Sequence, residues 1–245
     1  MAMRTIEPFN QFCHKVVTPN WRRHMMTMAM HTDFETSAKD NRRAKSSRNL
    51  TKRVLDLSLT SFGILAIAPL LIGTSLAIKL TSRGPVFFRQ ERIGKDGKPF
   101  MMYKFRSMFI DAEERRAALL ETSDRKGVCF KQKDDPRITR VGRFIRRFSI
   151  DELPQLLNVI KGDMSLVGPR PALPEEVAVY SPRALERLKA TPGLTGVWQV
   201  SGRADIGFDR MVEMDIAYSR SVSLMLDLML LALTFRAVLS GRGAY

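Results

Sequence analysis

The sequence has little of the chemistry on which many metal sites and nucleophilic enzymes depend. Its 245 residues include two cysteines and three histidines. Cys13 and Cys129 cannot form a disulfide framework or a four-ligand zinc site, and His14, His24 and His31 all precede residue 32. The sequence after residue 31 therefore excludes a Ser-His or Cys-His dyad. It leaves carboxylates, hydroxyls, Lys, Arg and an oxygen-bound hard cation as the candidate catalytic groups.

Acidic residues are also scarce, with 25 Asp and Glu against 40 Lys and Arg, which gives a net charge of +15. Such an excess indicates an anionic partner: nucleic acid, an acidic membrane surface or a phosphorylated substrate. Residues 1–53 carry +7 of this charge, and seven basic residues in 39–53 directly precede an apolar segment. A basic run is most often a solvated tail, but in this position it is typical of a juxtamembrane polybasic segment.

The apolar segment, residues 57–78, contains no charge over 22 residues and as a straight helix would be about 33 Å long, enough to cross a bilayer. Pro69 lies in its middle, where proline removes a helical hydrogen bond and bends the axis. Both flanks are basic, which favours the cytoplasmic side for both ends. We therefore expect a re-entrant hairpin with its break at Pro69; a single kinked span and a buried core helix are the alternatives.

Short extended and helical patterns follow. Residues 86–105 predict a β-hairpin with its turn at Asp96-Gly97, and residues 109–121 predict a charged helix. Apolar residues at 138, 141, 145 and 148 predict an amphipathic helix, whose other face carries Arg140, Arg143 and Arg147. That basic face fits an anionic lipid interface or a phosphate-binding wall, and equally the solvated side of a core-facing helix. The apolar stretch 222–239 contains Asp227 and Arg236, which favour an interfacial or core helix over a second span.

Residues 149–154 place two carboxylates, Asp151 and Glu152, at a helix start. Ser149 and Glu152 have the spacing of a capping box, which would be a purely structural role. Pro154 favours Asp151 as the N-cap instead, because the third helical residue needs no N–H. The carboxylate of Asp151 would then face the positive helix end, a site that also suits phosphate. This helix is expected to end at Gly162.

Two turn-rich stretches each present an arginine. Arg170 lies between two prolines, whose rigidity reduces the entropy lost in fixing a guanidinium on a phosphate. Residues 192–203 contain three glycines and end at Arg203. The sequence contains no Walker A, Gly-x-Gly-x-x-Gly or Asp-x-Asp motif, and Glu213-Met214-Asp215 is only a near miss.

Five ordered motifs within residues 50–245 resemble the bacterial sugar transferases, the monotopic phosphoglycosyl transferases. They are residues 103–108, 134–142, 151–155, 162–171 and 192–196, and they follow the apolar hairpin with Pro69. The size and the C-terminal sequence resemble the members that load galactose or glucose onto undecaprenyl phosphate to initiate exopolysaccharide synthesis.

The resemblance implies an enzyme that transfers a hexose 1-phosphate from a UDP-hexose to undecaprenyl phosphate, with release of UMP, at the cytoplasmic face of the bacterial inner membrane. It implies Asp151 as the nucleophile that forms a sugar-phosphoryl aspartate, and Glu152 as a proton acceptor or, with Asp151, a ligand of Mg²⁺. It assigns phosphate binding to Lys104, Arg146, Arg170 and Arg203. Galactose and glucose are favoured as the sugar, whereas polyprenol length and a homo-oligomer are left open.

We therefore expect a flexible basic arm at 1–50, a re-entrant membrane hairpin at 51–83 and a cytoplasmic catalytic domain at 84–245. The expected fold class is α+β, mainly helical with a small β-hairpin or sheet, monotopic, with a helix-break-helix hairpin and interfacial amphipathic helices. Two other functions stay open: a basic nucleic-acid-binding protein, which the apolar segment disfavours, and a non-catalytic membrane scaffold of a polysaccharide complex. Partition after lysis tests the first and release of UMP the second.

Overall fold

The computed structural model of the protein describes residues 20–112, 114, 135–201 and 206–240, and within those ranges the side chains of residues 49–238. The chain divides into two units, Met1–Leu50 and Thr51–Tyr245. In the first unit the described residues belong to a helix that begins at Asn20, so this part of the N-terminal arm is helical. The second unit holds every other element described.

The described elements are mainly helices, with two small sheets. The helices are α1 Asn20–Thr81, α2 Arg140–Arg147, α3 Leu156–Lys161, α4 Pro174–Ala178, α5 Pro182–Leu185, α6 Val197–Ser201, α7 Phe208–Arg220 and α8 Leu224–Ser240. The strands are β1 Phe87–Ile93, β2 Pro99–Phe105, β3 Ser165–Val167 and β4 Gly193–Thr195, and 3-10 helices cover Lys95–Gly97, Ile150–Gln155 and Glu186–Lys189. The expected class, mainly helical with a small sheet, is confirmed.

Helix α1 contains the apolar segment. Within the described ranges, Asn49–Thr81 is the one helix long and apolar enough to cross a membrane by length and composition. The helix is continuous through Pro69, so the proline does not separate two helices. In the most apolar 18 residues of this helix, only 11% of the residues are buried in the protein, whereas a core helix would be mostly buried. Phe62 and Leu65 are 74% and 76% exposed, and such an apolar surface is compatible with association with a membrane.

The residues that lead into the apolar segment are tied to the folded core by polar contacts. The Lys52 Nζ donates to Asp227 Oδ2 over 2.6 Å and to the carbonyl of Val167 over 3.0 Å. The Arg53 guanidinium donates to the carbonyls of Val159 and Ile160, at the end of α3. One turn later, Asp56 Oδ1 accepts the N–H of Leu166 over 3.2 Å. Lys52 and Arg53 therefore bind protein groups, although the sequence placed them in a polybasic segment that faces lipid.

The predicted β-hairpin is confirmed. Strands β1 and β2 pair antiparallel, from Phe87 opposite Phe105 to Ile93 opposite Pro99. Asp96 and Gly97 turn the chain with φ of 56° and 77°, which Asp and Gly tolerate better than most residues.

The charged helix predicted for residues 109–121 is wrong at its start. Residues 110–112 form turns, and the N–H of Phe109 donates to the carbonyl of Arg137 over 2.9 Å. Met108 also forms a β-bridge with Ile138. These contacts keep Met108 extended, and the residues directly after it form hydrogen-bonded turns where the helix was expected to begin. Residues 113 and 115–121 lie outside the described residues.

A second sheet consists of two three-residue strands. Strands β3 and β4 pair in parallel, with Ser165 opposite Gly193 and Val167 opposite Thr195. The backbone crosses closely beside them, because a Cβ added to Gly193 would lie 2.0 Å from the N of Gly168. Glycine is therefore required at this crossing.

Buried apolar side chains connect the hairpin to the helices that follow it. The main cluster contains Met102, Leu156, Val159, Met164, Leu166, Val167, Tyr218 and Leu230. A second cluster joins Ile78 of α1, Phe105 of β2 and Ile145 of α2. The end of the apolar helix is therefore packed against the hairpin and α2.

Helix α8, Leu224–Ser240, covers most of the apolar stretch 222–239. Asp227 and Leu230 are buried on one face, whereas Met225, Met229 and Phe235 are exposed on the other. The helix is thus part of the core on one side and presents an apolar surface on the other, which agrees with the interfacial or core helix predicted from Asp227 and Arg236.

Candidate active site

The carboxylates Asp151 and Glu152 lie in the 3-10 helix Ile150–Gln155, which leads directly into α3. The predicted N-cap role of Asp151 is wrong, because the helix begins earlier. Ser149 has a left-handed φ of 55°, and its carbonyl accepts the N–H of Glu152 over 3.2 Å. The Ser149 side chain forms no cap hydrogen bond, so the capping-box alternative is also wrong. The predicted stop at Gly162, with φ 93°, is confirmed.

Strand β2 brings Lys104 to Glu152. The Lys104 Nζ donates to Glu152 Oε1 over 2.7 Å, and both side chains are partly exposed. Lys104, to which the family resemblance assigns phosphate binding, therefore lies directly beside the carboxylate pair.

Asn158 in α3, which sequence reasoning missed, fixes this geometry. Its fully buried side-chain amide pairs with the backbone of β2 in both directions. The Nδ2 donates to the carbonyl of Met101 over 2.7 Å, and the Oδ1 accepts the N–H of Tyr103 over 3.1 Å. Asn158 thus holds α3, and with it the preceding carboxylates, against the strand that carries Lys104. An apolar pattern does not reveal such a residue, because its partners are distant backbone groups.

The pKa of Asp151 is raised to about 6, mainly because burial disfavours the charged carboxylate. The positive charge of Lys104 opposes this rise, the neighbouring Glu152 carboxylate adds to it, and Arg146 opposes it. Asp151 is therefore ionised at neutral pH, with a carboxylate that is less stabilised by water than an exposed one.

Arg146 reaches the site from the last turn of α2. This helix begins at Arg140 and is capped by Thr139, whose hydroxyl accepts the N–H of Gly142 over 2.8 Å. Ile138 was predicted to lie in this helix but lies in the bridge to Met108 instead, because Thr139 caps after it. The positive charge of Arg146 opposes the rise in the pKa of Asp151 that burial causes.

For Arg170, the structure describes no contact with the carboxylates. Arg170 follows β3 with an exposed side chain, and the hydrogen bond described for it is accepted by its backbone carbonyl. Arg203 lies outside the described residues. The triplet that nearly matched Asp-x-Asp has a structural role, since Asp215 is buried in an ion pair with Arg187.

The assembled residues can provide a carboxylate nucleophile, a second carboxylate beside it and cations for phosphate. Among the side chains that the structure describes, no group of three His, Cys, Asp or Glu is arranged to hold a metal ion. Mg²⁺ often uses only one or two carboxylates and takes its other ligands from substrate phosphates and water. Asp151 and Glu152 fit that limited role.

Comparison with known proteins identifies a matching family. The family described as bacterial sugar transferase matches residues 47–241. The chain belongs to the bacterial sugar transferase family. This sugar transferase is 43% identical over 210 residues to an undecaprenyl-phosphate galactose phosphotransferase of Salmonella typhimurium, covering 84% of this chain and 44% of the relative.

Two further relatives have similar identities to this chain but differ in their own length. The sugar transferase is 44% identical over 201 residues to a galactosyl transferase, CpsE, of Streptococcus agalactiae, covering 82% of this chain and 44% of the relative. It is 36% identical over 200 residues to the exopolysaccharide production protein ExoY of Sinorhizobium fredii, covering 80% of this chain and 88% of that protein. The chain therefore spans less than half of the first two relatives and most of the third.

Proposed function

We propose that the protein transfers a hexose 1-phosphate from a UDP-hexose to undecaprenyl phosphate, with release of UMP, as the first step of exopolysaccharide or glycoconjugate assembly. The observation that carries this proposal is the carboxylate pair Asp151-Glu152 with Lys104 and Arg146 beside it, in a chain of the sugar transferase family. The excess of basic residues then serves phosphate groups and a membrane rather than nucleic acid.

The chemistry begins at Asp151. Its carboxylate oxygen attacks the β-phosphorus of the UDP-hexose, and the bond from that phosphorus to the bridging oxygen breaks, so UMP leaves with the electron pair. A sugar-phosphoryl aspartate results. A phosphate oxygen of undecaprenyl phosphate then attacks the same phosphorus, which restores the Asp151 carboxylate and yields a hexosyl diphosphate lipid. Burial favours the first step, because a poorly hydrated carboxylate is the better nucleophile.

Cations at the site counter the repulsion between the carboxylates and the diphosphate. Lys104 and Arg146 already lie near Asp151, and we assign phosphate binding to them together with Arg170 and Arg203. Asp151 and Glu152 would hold Mg²⁺, which when bound offsets charge on the phosphate oxygens. Glu152 otherwise accepts or relays a proton, since its carboxylate is the group adjacent to the nucleophile.

Substitution of Asp151 by Asn tests this function. An amide of the same size is a poor nucleophile, so Asp151→Asn should retain expression and membrane association but lose UMP release from UDP-galactose or UDP-glucose in the presence of undecaprenyl phosphate. Asp209→Asn, an exposed aspartate at the start of α7, is the matched control and should remain active. Multiple turnover by Asp151→Asn would place the nucleophile elsewhere, and an inactive wild type would favour the scaffold alternative.

We further infer that the protein is monotopic in the bacterial inner membrane, with both ends of the apolar part of α1 on the cytoplasmic side and the continuous helix bent at Pro69, where the proline removes a hydrogen bond without ending the helix. The exposed apolar side chains of α1 and the exposed Lys79 beyond them support this placement. Helix α2 presents Arg140, Arg143, Phe144 and Arg147 to solvent, a combination that suits an anionic membrane interface. The exposed apolar face of α8 suits the same interface.

A further inference from the structure

The backbone around Arg170 is held at four successive carbonyl groups. The carbonyl of Pro169 accepts the N–H of Gly193 over 2.8 Å, and that of Ala172 accepts the N–H of Ile93 over 2.9 Å. Between them, the carbonyl of Arg170 accepts from the Arg187 guanidinium over 3.3 Å, and that of Pro171 accepts from the Arg92 guanidinium over 3.1 Å. Four separate donors therefore fix one short segment.

Arg187 is itself rigidly held. Its side chain is 2% exposed and forms an ion pair with Asp215 of α7 over 2.5 Å. The other end of the guanidinium donates to the hydroxyl of Tyr180 over 2.9 Å. Burial of a charge is costly unless it is paired and hydrogen-bonded, so this network stabilises one orientation of the guanidinium.

Arg92 approaches the same segment from the hairpin. Arg92 is 5% exposed. Its guanidinium donates to Gln90 Oε1 over 2.7 Å as well as to the carbonyl of Pro171. Two buried guanidinium groups, from β1 and from the 3-10 helix Glu186–Lys189, thus converge on adjacent carbonyls.

Carbonyl contacts are the available means of fixing this segment. Pro169 and Pro171 have no N–H, so their backbones cannot be anchored by donation. The proline rings fix φ at these two residues, but they do not fix ψ, which a hydrogen bond to the carbonyl restrains. The side chain of Arg170, in contrast, is exposed. The segment therefore combines a fixed backbone with an available guanidinium.

We propose that Arg187 and Arg92 are positioning residues that aim Arg170 at the diphosphate of the sugar nucleotide. The proposal rests on the proposed function, in which Arg170 binds phosphate. A guanidinium whose backbone is already fixed loses less entropy on binding, so removal of these contacts weakens phosphate binding without removing any group that touches it.

A double-mutant cycle on the full-length protein in detergent tests the proposal, with the affinity for UDP measured by titration calorimetry. Arg187→Lys keeps a charge for Asp215 but loses the planar fork that reaches the Arg170 carbonyl. We expect it to weaken UDP binding about tenfold. In the Arg170→Ala background the same substitution should have no further effect, since no guanidinium is left to aim.

Arg183→Lys is the matched control, because Arg183 pairs with exposed Glu213 on the same helix as Asp215 and makes no described contact with residues 169–172. Equal effects of Arg187→Lys in both backgrounds, or an equal effect of Arg183→Lys, would overturn the proposal. Should Arg187→Lys fail to fold, Arg92→Lys carries the same cycle. A wild type that binds UDP but releases no UMP would contradict the proposed function alone, whereas one that binds no UDP would contradict both.

Discussion

The pKa of a single residue, Asp151, sets an acid limit on the proposed reaction. Because this pKa is raised to about 6, Asp151 becomes protonated as the pH falls through 6 and can no longer attack phosphorus. The positive charge of Lys104 opposes the rise, so removal of that charge raises the pKa further. We expect Lys104→Met to move the acid limb of the rate profile upward by about one pH unit.

Rates of UMP release between pH 5 and 8.5 check this shift. Lys161→Met is the control: Lys161 lies at the end of α3, donates to the hydroxyl of Tyr103 over 2.7 Å, and is not among the charges that shift the pKa of Asp151. Its acid limb should match that of the wild type. An unshifted limb in Lys104→Met would show that the limb does not report Asp151.

Gly142 in α2 has no room for a methyl group, so its replacement by alanine should destabilise the protein. A Cβ there would lie 1.8 Å from the carbonyl oxygen of Ser107, a backbone atom that already accepts the N–H of Thr139 over 3.0 Å. Helix α2 and the backbone at Ser107 cannot move apart without loss of this hydrogen bond. We expect Gly142→Ala to lower the free energy of unfolding by about 3 kcal/mol, the upper range for overpacking.

Thermal unfolding in detergent measures this effect. Gly73→Ala in α1, where the added Cβ meets no atom within 4 Å, is the control and should leave the unfolding temperature unchanged or slightly higher. A Gly142→Ala protein as stable as the control would mean that α2 and the backbone at Ser107 separate easily.

Elements with local sequence signals were predictable, and elements that depend on distant partners were not. Asp96-Gly97 specifies the hairpin turn, and Gly162 ends α3, because each acts through its own backbone conformation. The left-handed Ser149 was not foreseen, since serine rarely adopts positive φ. Strands β3 and β4 are three residues each, too short for a periodic pattern, and they depend on a close crossing of Gly168 and Gly193.

The contacts of Arg53 in α1 also could not be predicted from the sequence. The charge run was visible in the sequence, but the carbonyls that Arg53 binds belong to the last turn of α3, more than a hundred residues away. A cation at a helix C-terminus stabilises the unpaired carbonyls and the helix dipole. Arg53 therefore supports α3, the helix that follows Asp151 and Glu152.

Replacement of Arg53 should weaken this connection. Arg53→Ala removes charge-assisted hydrogen bonds to two carbonyls, which we expect to cost about 2 kcal/mol of stability. Lys79→Ala, an exposed basic residue in the last turn of α1, is the control and should cost little. The difference in unfolding temperature between the two variants in detergent checks the prediction. If Arg53→Ala and Lys79→Ala are equally stable, water replaces the Arg53 guanidinium at the α3 carbonyls without loss of stability.

The whole molecule has a topology that thiol labelling can test, in a protein with Cys13→Ser and Cys129→Ser. If both ends of the apolar segment are cytoplasmic, an impermeant reagent applied to spheroplasts should label neither Asn49→Cys nor Lys95→Cys. Both should react after permeabilisation. Pro69→Leu restores a helical hydrogen bond, so a fraction of molecules should expose residue 49 outside and activity should fall.

Lys95→Cys is the internal control, because it lies in the hairpin turn of the catalytic domain and should stay protected in every variant. Labelling of Asn49→Cys from outside in the protein that retains Pro69 would show a true span. Labelling of both positions would show that the spheroplasts are leaky.

The net charge of the molecule indicated anionic partners, yet part of that charge is used internally. Among the side chains that the structure describes, five arginines donate to backbone carbonyls: Arg53, Arg92, Arg106, Arg137 and Arg187. A sequence count cannot separate these from the exposed arginines of α2, because the difference lies in tertiary contacts. The charge of these arginines remains part of the net +15, but their donors to carbonyls are used within the protein and not for an anionic partner.

The contacts of Lys52, Arg53 and Asp56 also fix how deep the protein can reach into a leaflet. From Asp56 to Pro69, α1 rises roughly 20 Å, and its starting point is bound to β3 and α3, so it cannot slide to suit a thinner or thicker bilayer. The lipid has to adjust its thickness around the protein instead. In the proposed monotopic arrangement, acyl-chain length thereby becomes a variable of the enzyme, because bilayer strain on α1 passes through Arg53 to α3, the helix that follows Asp151 and Glu152.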